Sequence, residues 1–174
     1  VLAASIHPLE NLCAAGDGPR IHSPLPVGFN ALSLNGNSLQ DANRTFDPSL
    51  IRPAEFDTNM ASLAYLRTFE LKNRHMTFIG ILRGGQAKRR LSLQEGREIR
   101  SSKGLADPFL ALSVNLFGLP PLDREAYREF DPGLKVNFLL GAIAPMGEYD
   151  RNNAINLSAN RWTIRFGLPI TRSF

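Results

Sequence analysis

The sequence predicts an all-β fold in which antiparallel strands run up and down around a barrel. Six segments alternate apolar and polar residues with a period of two, the pattern of a strand with two different faces. Gly, Pro, Asn and Asp bound these segments, and the connections between them alternate between long and short. The predicted strands cover 28–39, 60–71, 75–91, 106–118, 135–147 and 161–172.

The composition fits one folded domain and excludes several other classes. The chain has 174 residues, of which 43% are hydrophobic and 21% charged, so it is not a disordered chain. No run approaches the roughly 18 apolar residues of a membrane-spanning helix. The net charge of +4 is dispersed apart from AKRR at 87–90, so we expect no nucleic-acid partner. Cys13 is the only cysteine, which excludes an intrachain disulfide and a cysteine-based metal site.

The first three predicted strands differ in how clearly their faces are separated. In the first, Leu32 and Leu34 alternate with polar residues, whereas the second is apolar on both sides. The segment 72–74 (KNR) predicts a tight turn from the second strand into the third. The charged segment 92–104, which follows the third strand, is predicted to be a connection.

The last three predicted strands have an uninterrupted apolar row on one face. In the sixth, every second residue from Trp162 is apolar, and the intervening positions include Thr163 and Arg165. An arginine facing the middle of a bilayer would cost about 2–4 kcal/mol, so Arg165 decides which face of this strand could meet lipid. Before the fifth strand, apolar residues four apart in 122–130 predict a short helix starting near Asp123, with a turn as the alternative.

Two environments fit this alternation. A transmembrane β-barrel is apolar outside and polar in its lumen, and strands of about ten residues cross a bilayer. A soluble β-barrel that binds a small apolar ligand also alternates, but its polar face normally carries Lys, Glu and Thr. Here the inward residues of the fourth and fifth strands are small and uncharged. The pattern alone leaves both alternatives open.

In the transmembrane alternative, inward polar side chains would set the polarity of the pore and hold an anionic or phenolic group. The facing of Arg83 is the least defined, because a glycine pair follows it. The predicted pore-lining residues are Arg83, Ser113, Asn115, Asn137, Thr163 and Arg165, and the alternative is that they satisfy one another inside a plugged barrel. The predicted lipid-facing residues are Leu110, Leu112, Val114, Leu116, Trp162, Ile164 and Phe166.

No arrangement of residues indicates catalysis. His7, His22 and His75 are far apart, and none has ligand-like spacing with Asp or Glu. The GDGP of 16–19 follows no predicted strand, so it is a turn and not a phosphate-binding loop. We expect no enzymatic activity, no metal and no cofactor.

The second half of the chain resembles a known family. Its strand motif G-x-x-D-P…S-V-N-L-x-G-x-P is similar to 104–120, and its P-x-G-x-Y-D and N-L-x-x-N-R-W motifs are similar to 145–150 and 156–162. The segments FDPSL (46–50) and YLRTF (65–69) also fit. The chain therefore resembles the outer-membrane transporters labelled "putative meta-pathway of phenol degradation" over most of 28–172.

The resemblance implies a bacterial outer-membrane β-barrel through which small hydrophobic or aromatic molecules diffuse passively, with outer-membrane lipid around it. It divides the chain into an N-terminal extension, 1–27, and barrel strands, 28–174. Six strands cannot close a barrel, for which about eight is the smallest number, and family members run further. We therefore expect either the N-terminal part of a longer barrel or an oligomer whose protomers share one.

Overall fold

The computed structural model is a curled antiparallel sheet with one short helix in its described part, which covers residues 25–44, 54–93, 96–131, 133–153 and 155–172. In chain order the elements are β1 Asn30–Arg44, β2 Ala54–Leu71, β3 Arg74–Leu93, β4 Gly96–Leu105, β5 Phe109–Phe117, α1 Arg124–Glu129, β6 Leu134–Ile143, β7 Thr163–Gly167 and β8 Ile170–Arg172.

The strands form a single sheet in the order β1-β2-β3-β5-β6-β7, with β4 beside β3 and β8 beside β6. Every pairing is antiparallel. β4 and β5 share one position next to β3, since Leu105 pairs with Gly84 and Phe109 pairs with Ile81. The chain leaves the ladder between them at 106–108, where Pro108 has no N–H to donate. The sheet curls into half a barrel, which confirms the predicted fold class.

The two ends of the half barrel differ, and we call them the turn end and the loop end. At the turn end, Lys72 and Asn73 connect β2 to β3 with φ values of 51° and 57°, the positive angles of a tight type I′ turn. This confirms the turn predicted at 72–74. The connection holding α1 lies at the same end, and the Asp123 side chain caps α1 by accepting from the N–H groups of Glu125 and Ala126. The predicted short helix is therefore confirmed. Leu93 of β3 and Gly96 of β4, which pair with each other, lie at the loop end, and so does the connection at 144–162.

The two faces of the sheet have different environments. Ile79, Phe109, Ala111 and Leu139 form a buried cluster on one face. We call this the concave face, because a single curled sheet buries side chains on its inner side. Residues at alternate positions lie on the opposite, convex face, where the side chains of β5 and β7 include exposed leucine, isoleucine and phenylalanine.

Several element bounds differ from those the sequence predicted. The prediction that 92–104 is a connection is wrong, because this segment completes β3 and forms β4. Ten residue pairs join β4 to β3, so main-chain hydrogen bonds form a strand here without apolar alternation. β2 starts at Ala54, and the sixth predicted strand is divided into β7 and β8 by Leu168 and Pro169. The division at residue 28 stays a prediction, and FDPSL lies outside the described residues.

Gly85 lies at a close approach of the β2 and β3 backbones. A Cβ atom at this position would lie 2.0 Å from the carbonyl oxygen of Asn59. The glycine pair at 84–85 therefore lets the two longest strands pair without interruption, since Gly85 pairs with Met60 in unbroken register.

We expect Gly85→Ala to lower the free energy of unfolding by about 2–3 kcal/mol, because the added methyl group would push β3 away from β2. Gly36→Ala in β1 is the matched control, since no atom lies within 4 Å of an added Cβ there. We expect this control to change the free energy by less than about 0.5 kcal/mol. Urea unfolding of protein folded in detergent measures both values, and equal effects of the two substitutions would contradict the prediction.

Candidate functional site

The middle of the concave face is an apolar patch contributed by four strands. Ile79 pairs with Leu66 on one side and Ala111 on the other, and Phe109 pairs with Ile81 and Ile143 in the adjoining row. We call this set, completed by Leu139, the concave apolar patch. The sequence reading emphasised small and polar inward residues, so it missed how apolar this surface is. The alternation of residues along β3 and β6 did indicate an apolar row on this face.

Phe109 dominates this patch because a glycine makes room for its ring. A Cβ at Gly141 would lie 2.8 Å from Cε2 of Phe109, so the ring lies directly over this position of β6. Gly141 pairs with Arg165 of β7, whose side chain is half-buried. Arg165 therefore belongs to the strand position next to the one that the Phe109 ring covers.

Three of the predicted pore-lining residues are buried on the concave face towards the turn end. Asn115 Nδ2 donates to Asn137 Oδ1 at 2.8 Å, and Asn115 Oδ1 accepts from the Leu119 N–H at 3.1 Å. These bonds hold the bulge that follows Asn115 and the start of the connection to α1. Ser113 is also buried. The three side chains stabilise the sheet near the turn end, and their contact with a permeant stays a prediction.

A short segment before β1 covers the concave face at the turn end. A ring nitrogen of His75 lies 2.8 Å from the carbonyl oxygen of Leu25, and the Thr68 hydroxyl donates to the carbonyl oxygen of Pro26 at 2.5 Å. The Val27 N–H donates to the carbonyl oxygen of Leu122 at 2.8 Å. Thr68 has no exposed surface as a result. Residues 25–27 and the connection to α1 thus narrow this end of the concave surface.

The other three predicted pore-lining residues surround the concave apolar patch. Thr163 pairs with Ile143 in the row of Phe109 and is half-buried. Arg165 belongs to the next row towards the turn end. Arg83 is exposed and lies two residues beyond Ile81 towards the loop end, so alternation puts it on the concave face.

The predicted lipid-facing residues form the convex surface of β5 and β7. Phe166 is 77% exposed and Trp162 is 67% exposed. Leu110, Leu116 and Ile164 are also exposed, whereas Leu112 and Val114 are half-buried between neighbouring apolar side chains. The single sheet has no second layer over this row within the described residues.

The described part of the chain contains no group of three or more His, Cys, Asp or Glu residues that could hold a metal ion. None of its helices has the length and apolar character needed to cross a membrane. The absence of metal, cofactor and enzymatic activity stays a prediction.

Residues 25–174 match the protein family described as "Putative MetA-pathway of phenol degradation". The chain belongs to this family. No curated protein matches it.

A solved structure shares the fold of this MetA-pathway chain. It is described as an outer membrane channel from Pseudomonas putida F1, and the two superpose with a TM-score of 0.64 at 19% sequence identity. The similarity covers 92% of this chain and 55% of that one, so the chain spans about half the length of the channel chain. At this identity the comparison shows a common fold.

Residues of the segments 104–108, 145–150 and 156–160 meet at the loop end in a network that we call the Asp107 clasp. Asp107 Oδ1 accepts from the Gly147 N–H at 3.0 Å, and Oδ2 accepts from the Ala159 N–H at 2.8 Å. One carboxylate therefore ties the junction of β4 and β5 to both ends of the 144–162 loop. The Glu148 N–H also donates to the carbonyl oxygen of Leu105 at 2.7 Å. No local sequence signal predicts this network, because its bonds join residues about 40 and 50 positions apart.

The ionisation of Asp107 depends on these hydrogen bonds. Burial raises the pKa of this carboxyl, but hydrogen bonds from the Ser158 side chain and from the backbone of Gly147, Ala159 and Met146 outweigh burial and hold the pKa below its ordinary value of 3.8. The folded pKa is therefore lower than the unfolded one. The clasp stabilises the loop fully above the unfolded pKa, and this stabilisation is lost as the pH falls through the folded pKa.

We expect Asp107→Asn to lower the opening free energy of the 144–162 loop by about 1–2 kcal/mol, because a neutral amide leaves one of the two backbone N–H groups without an acceptor. Hydrogen exchange of the Gly147 and Ala159 amides measures this opening. Acidification of the unmodified protein below pH 3.8 should speed the same exchange, after correction for its intrinsic pH dependence. Asp131→Asn, at an exposed position near the turn end, is the control. Unchanged amide protection in the Asp107 variant would contradict the role of the clasp.

Proposed function

We propose that this chain forms part of a bacterial outer-membrane β-barrel through which small hydrophobic or aromatic molecules diffuse passively. The observation that carries the proposal is the exposed apolar row on the convex face of a single sheet. Membership of the MetA-pathway family and the common fold with an outer membrane channel support it. The mechanism requires no cofactor and no catalytic step.

The length of the uncharged convex band supports a bilayer as its environment. On β3, every second residue from Met76 to Gly84 lies on the convex face, and each of these residues is uncharged. The stretch is about nine residues long, and a transmembrane strand needs about 9–11 residues. Arg74 lies before this stretch, and Lys88 and Arg90 lie beyond it. Arg90 pairs with Asp57 at 2.5 Å, so ionic side chains occupy the convex face where the strands extend past the band.

The residues at the band margins fit the two membrane surfaces. Trp162 is exposed at the loop-end start of β7, a position where tryptophan prefers the bilayer interface. Arg67 is exposed on the convex side of β2, five residues before the turn at Lys72, and its long side chain can reach the surface from there. In outer-membrane barrels tight turns face the periplasm and long loops face outside. The turn end would then be periplasmic.

The concave face provides the lining of the proposed pore. The concave apolar patch offers a permeant an apolar surface. Arg83, Thr163 and Arg165 add polar groups at the margins of this patch. Ser113, Asn115 and Asn137 contribute to the wall nearer the turn end. A soluble ligand-binding barrel is disfavoured, because it would leave Phe166, Ile164 and Leu140 exposed to water.

We expect Leu110→Arg to destabilise the membrane-embedded protein by about 2–4 kcal/mol, because Leu110 is exposed and pairs with Gly80, so the new charge would face lipid at the middle of the band. Met146→Arg is the matched control, since Met146 is also exposed but lies in the 144–162 loop. Heat-dependent gel mobility and urea unfolding in lipid vesicles measure the loss. Equal tolerance of the two substitutions would contradict the assignment of the convex face to lipid.

The proposed function is tested by reconstituting the complete protein, as its gene encodes it, into planar lipid bilayers. We expect ion currents in discrete steps and accelerated entry of small aromatic solutes into proteoliposomes. Heat-denatured protein at the same lipid ratio is the control. Folded, membrane-inserted protein that gives neither current nor entry would overturn the proposal.

A further inference from the structure

Among the strand residues whose side chains the structure describes, the concave face carries more cationic than anionic groups. The alternation and register of β3 to β7 put these cations on it: Arg83, Arg89, Arg100, Lys135 and Arg165. The acids described on this face are Glu70 near the turn end and Glu148, whose side chain lies against Gly104. The convex face differs, because Asp57 and Glu55 lie next to Arg90 there.

Two arginines face each other near the loop end. Arg89 of β3 and Arg100 of β4 are direct register partners, and like charges directly opposite each other in a sheet repel. The neighbouring pair, Ala87 and Ser102, is buried, which identifies this row as part of the concave surface. The buried Nε of Arg89 has no hydrogen-bond partner among the described residues. A bound anion would accept from this donor and offset the repulsion between the two guanidinium groups.

The cationic residues continue from the loop end to the concave apolar patch. Arg83 lies one concave row on the loop side of Ile81, and Arg165 lies one row on the turn side of Thr163. The row between them holds Phe109, whose ring covers Gly141. A molecule with an apolar body and one anionic group could therefore contact the half-buried Ile81 and Ile143 on either side of Phe109 while a guanidinium group binds its charge.

We infer that the concave face selects anionic amphiphiles, specifically small aromatic or aliphatic monocarboxylates. Arg89 and Arg100 attract the carboxylate at the loop end, and Arg83 and Arg165 bind it while the body of the molecule passes over Phe109. This inference rests on the proposed function and narrows its substrate class. Neutral hydrocarbons would gain from the apolar patch alone, and organic cations would be repelled.

The unmodified protein provides the first test, which needs no substitution. In a planar bilayer with a potassium chloride gradient, we expect the zero-current potential to show a several-fold preference for chloride over potassium. Replacing chloride by benzoate should retain anion permeation, because the benzoate ring can contact the half-buried Ile81 and Ile143 beside Phe109. Replacing potassium by benzylammonium should give no comparable cation permeation, although its ring has the same size.

Paired substitutions then test the named residues. We expect Arg83→Gln with Arg165→Gln, and separately Arg89→Gln with Arg100→Gln, to reduce the anion preference towards unity. Lys88→Gln with Lys103→Gln removes the same number of charges from β3 and β4 but on the convex side, and should leave the preference unchanged. Heat-dependent gel mobility confirms that each variant is folded before its currents are recorded.

The outcomes separate this inference from the proposed function. Step currents with an anion preference that falls only in the concave variants support both. Step currents without anion preference, or with a preference that both concave pairs leave unchanged, overturn the inference and leave the channel standing. Absence of any current from folded, inserted protein overturns the channel, and the inference fails with it.

Discussion

A single β-sheet with no layer packed on its convex face can keep a row of leucine, isoleucine and phenylalanine there only if that face meets an apolar environment. Phe166, Leu34 and Ile164 would otherwise be exposed to water, and the free-energy cost would be about 25 cal/mol for each Å² of exposed apolar surface. A bilayer removes this cost. On β2 and β3 the convex charges lie where the strands extend beyond the uncharged band, except for Arg67, which pairs with Phe78 near its turn-end margin. Under the proposed function, the rest of the architecture depends on this one contact between side chains and lipid.

The same constraint explains why the concave face is organised as it is. If the convex side chains pack on lipid, as we propose, only the inner side is left for protein packing, and the sheet must curl to bury it. Phe109 over Gly141 fills the middle, and Asn115 with Asn137 closes the ladder at the turn end. At the loop end the Asp107 clasp holds the 144–162 loop against β4 and β5. Polar contacts at both ends of the concave face therefore border its apolar middle.

The fold class and the facing of β5 and β7 could be predicted because alternation is a local signal with period two. β4 could not, since neither of its faces has a continuous apolar row and its strand geometry comes from hydrogen bonds to β3. The tight turn and α1 had local signals, in a Lys-Asn pair and in Asp123. The Asp107 clasp and the opposition of Arg89 and Arg100 had none, because pairing register alone brings these residues together.

The central claim, that the convex face touches lipid, is tested most directly by nitroxide labels placed one at a time at successive positions of β6. Labels at Phe138, Leu140 and Ala142 should be relaxed by oxygen, which concentrates in lipid, and should be shielded from a water-soluble nickel chelate. Labels at Leu139 and Ile143, on the concave face, should lack this lipid signature. An oxygen signal without two-residue periodicity, or a periodicity of opposite phase, would contradict the account.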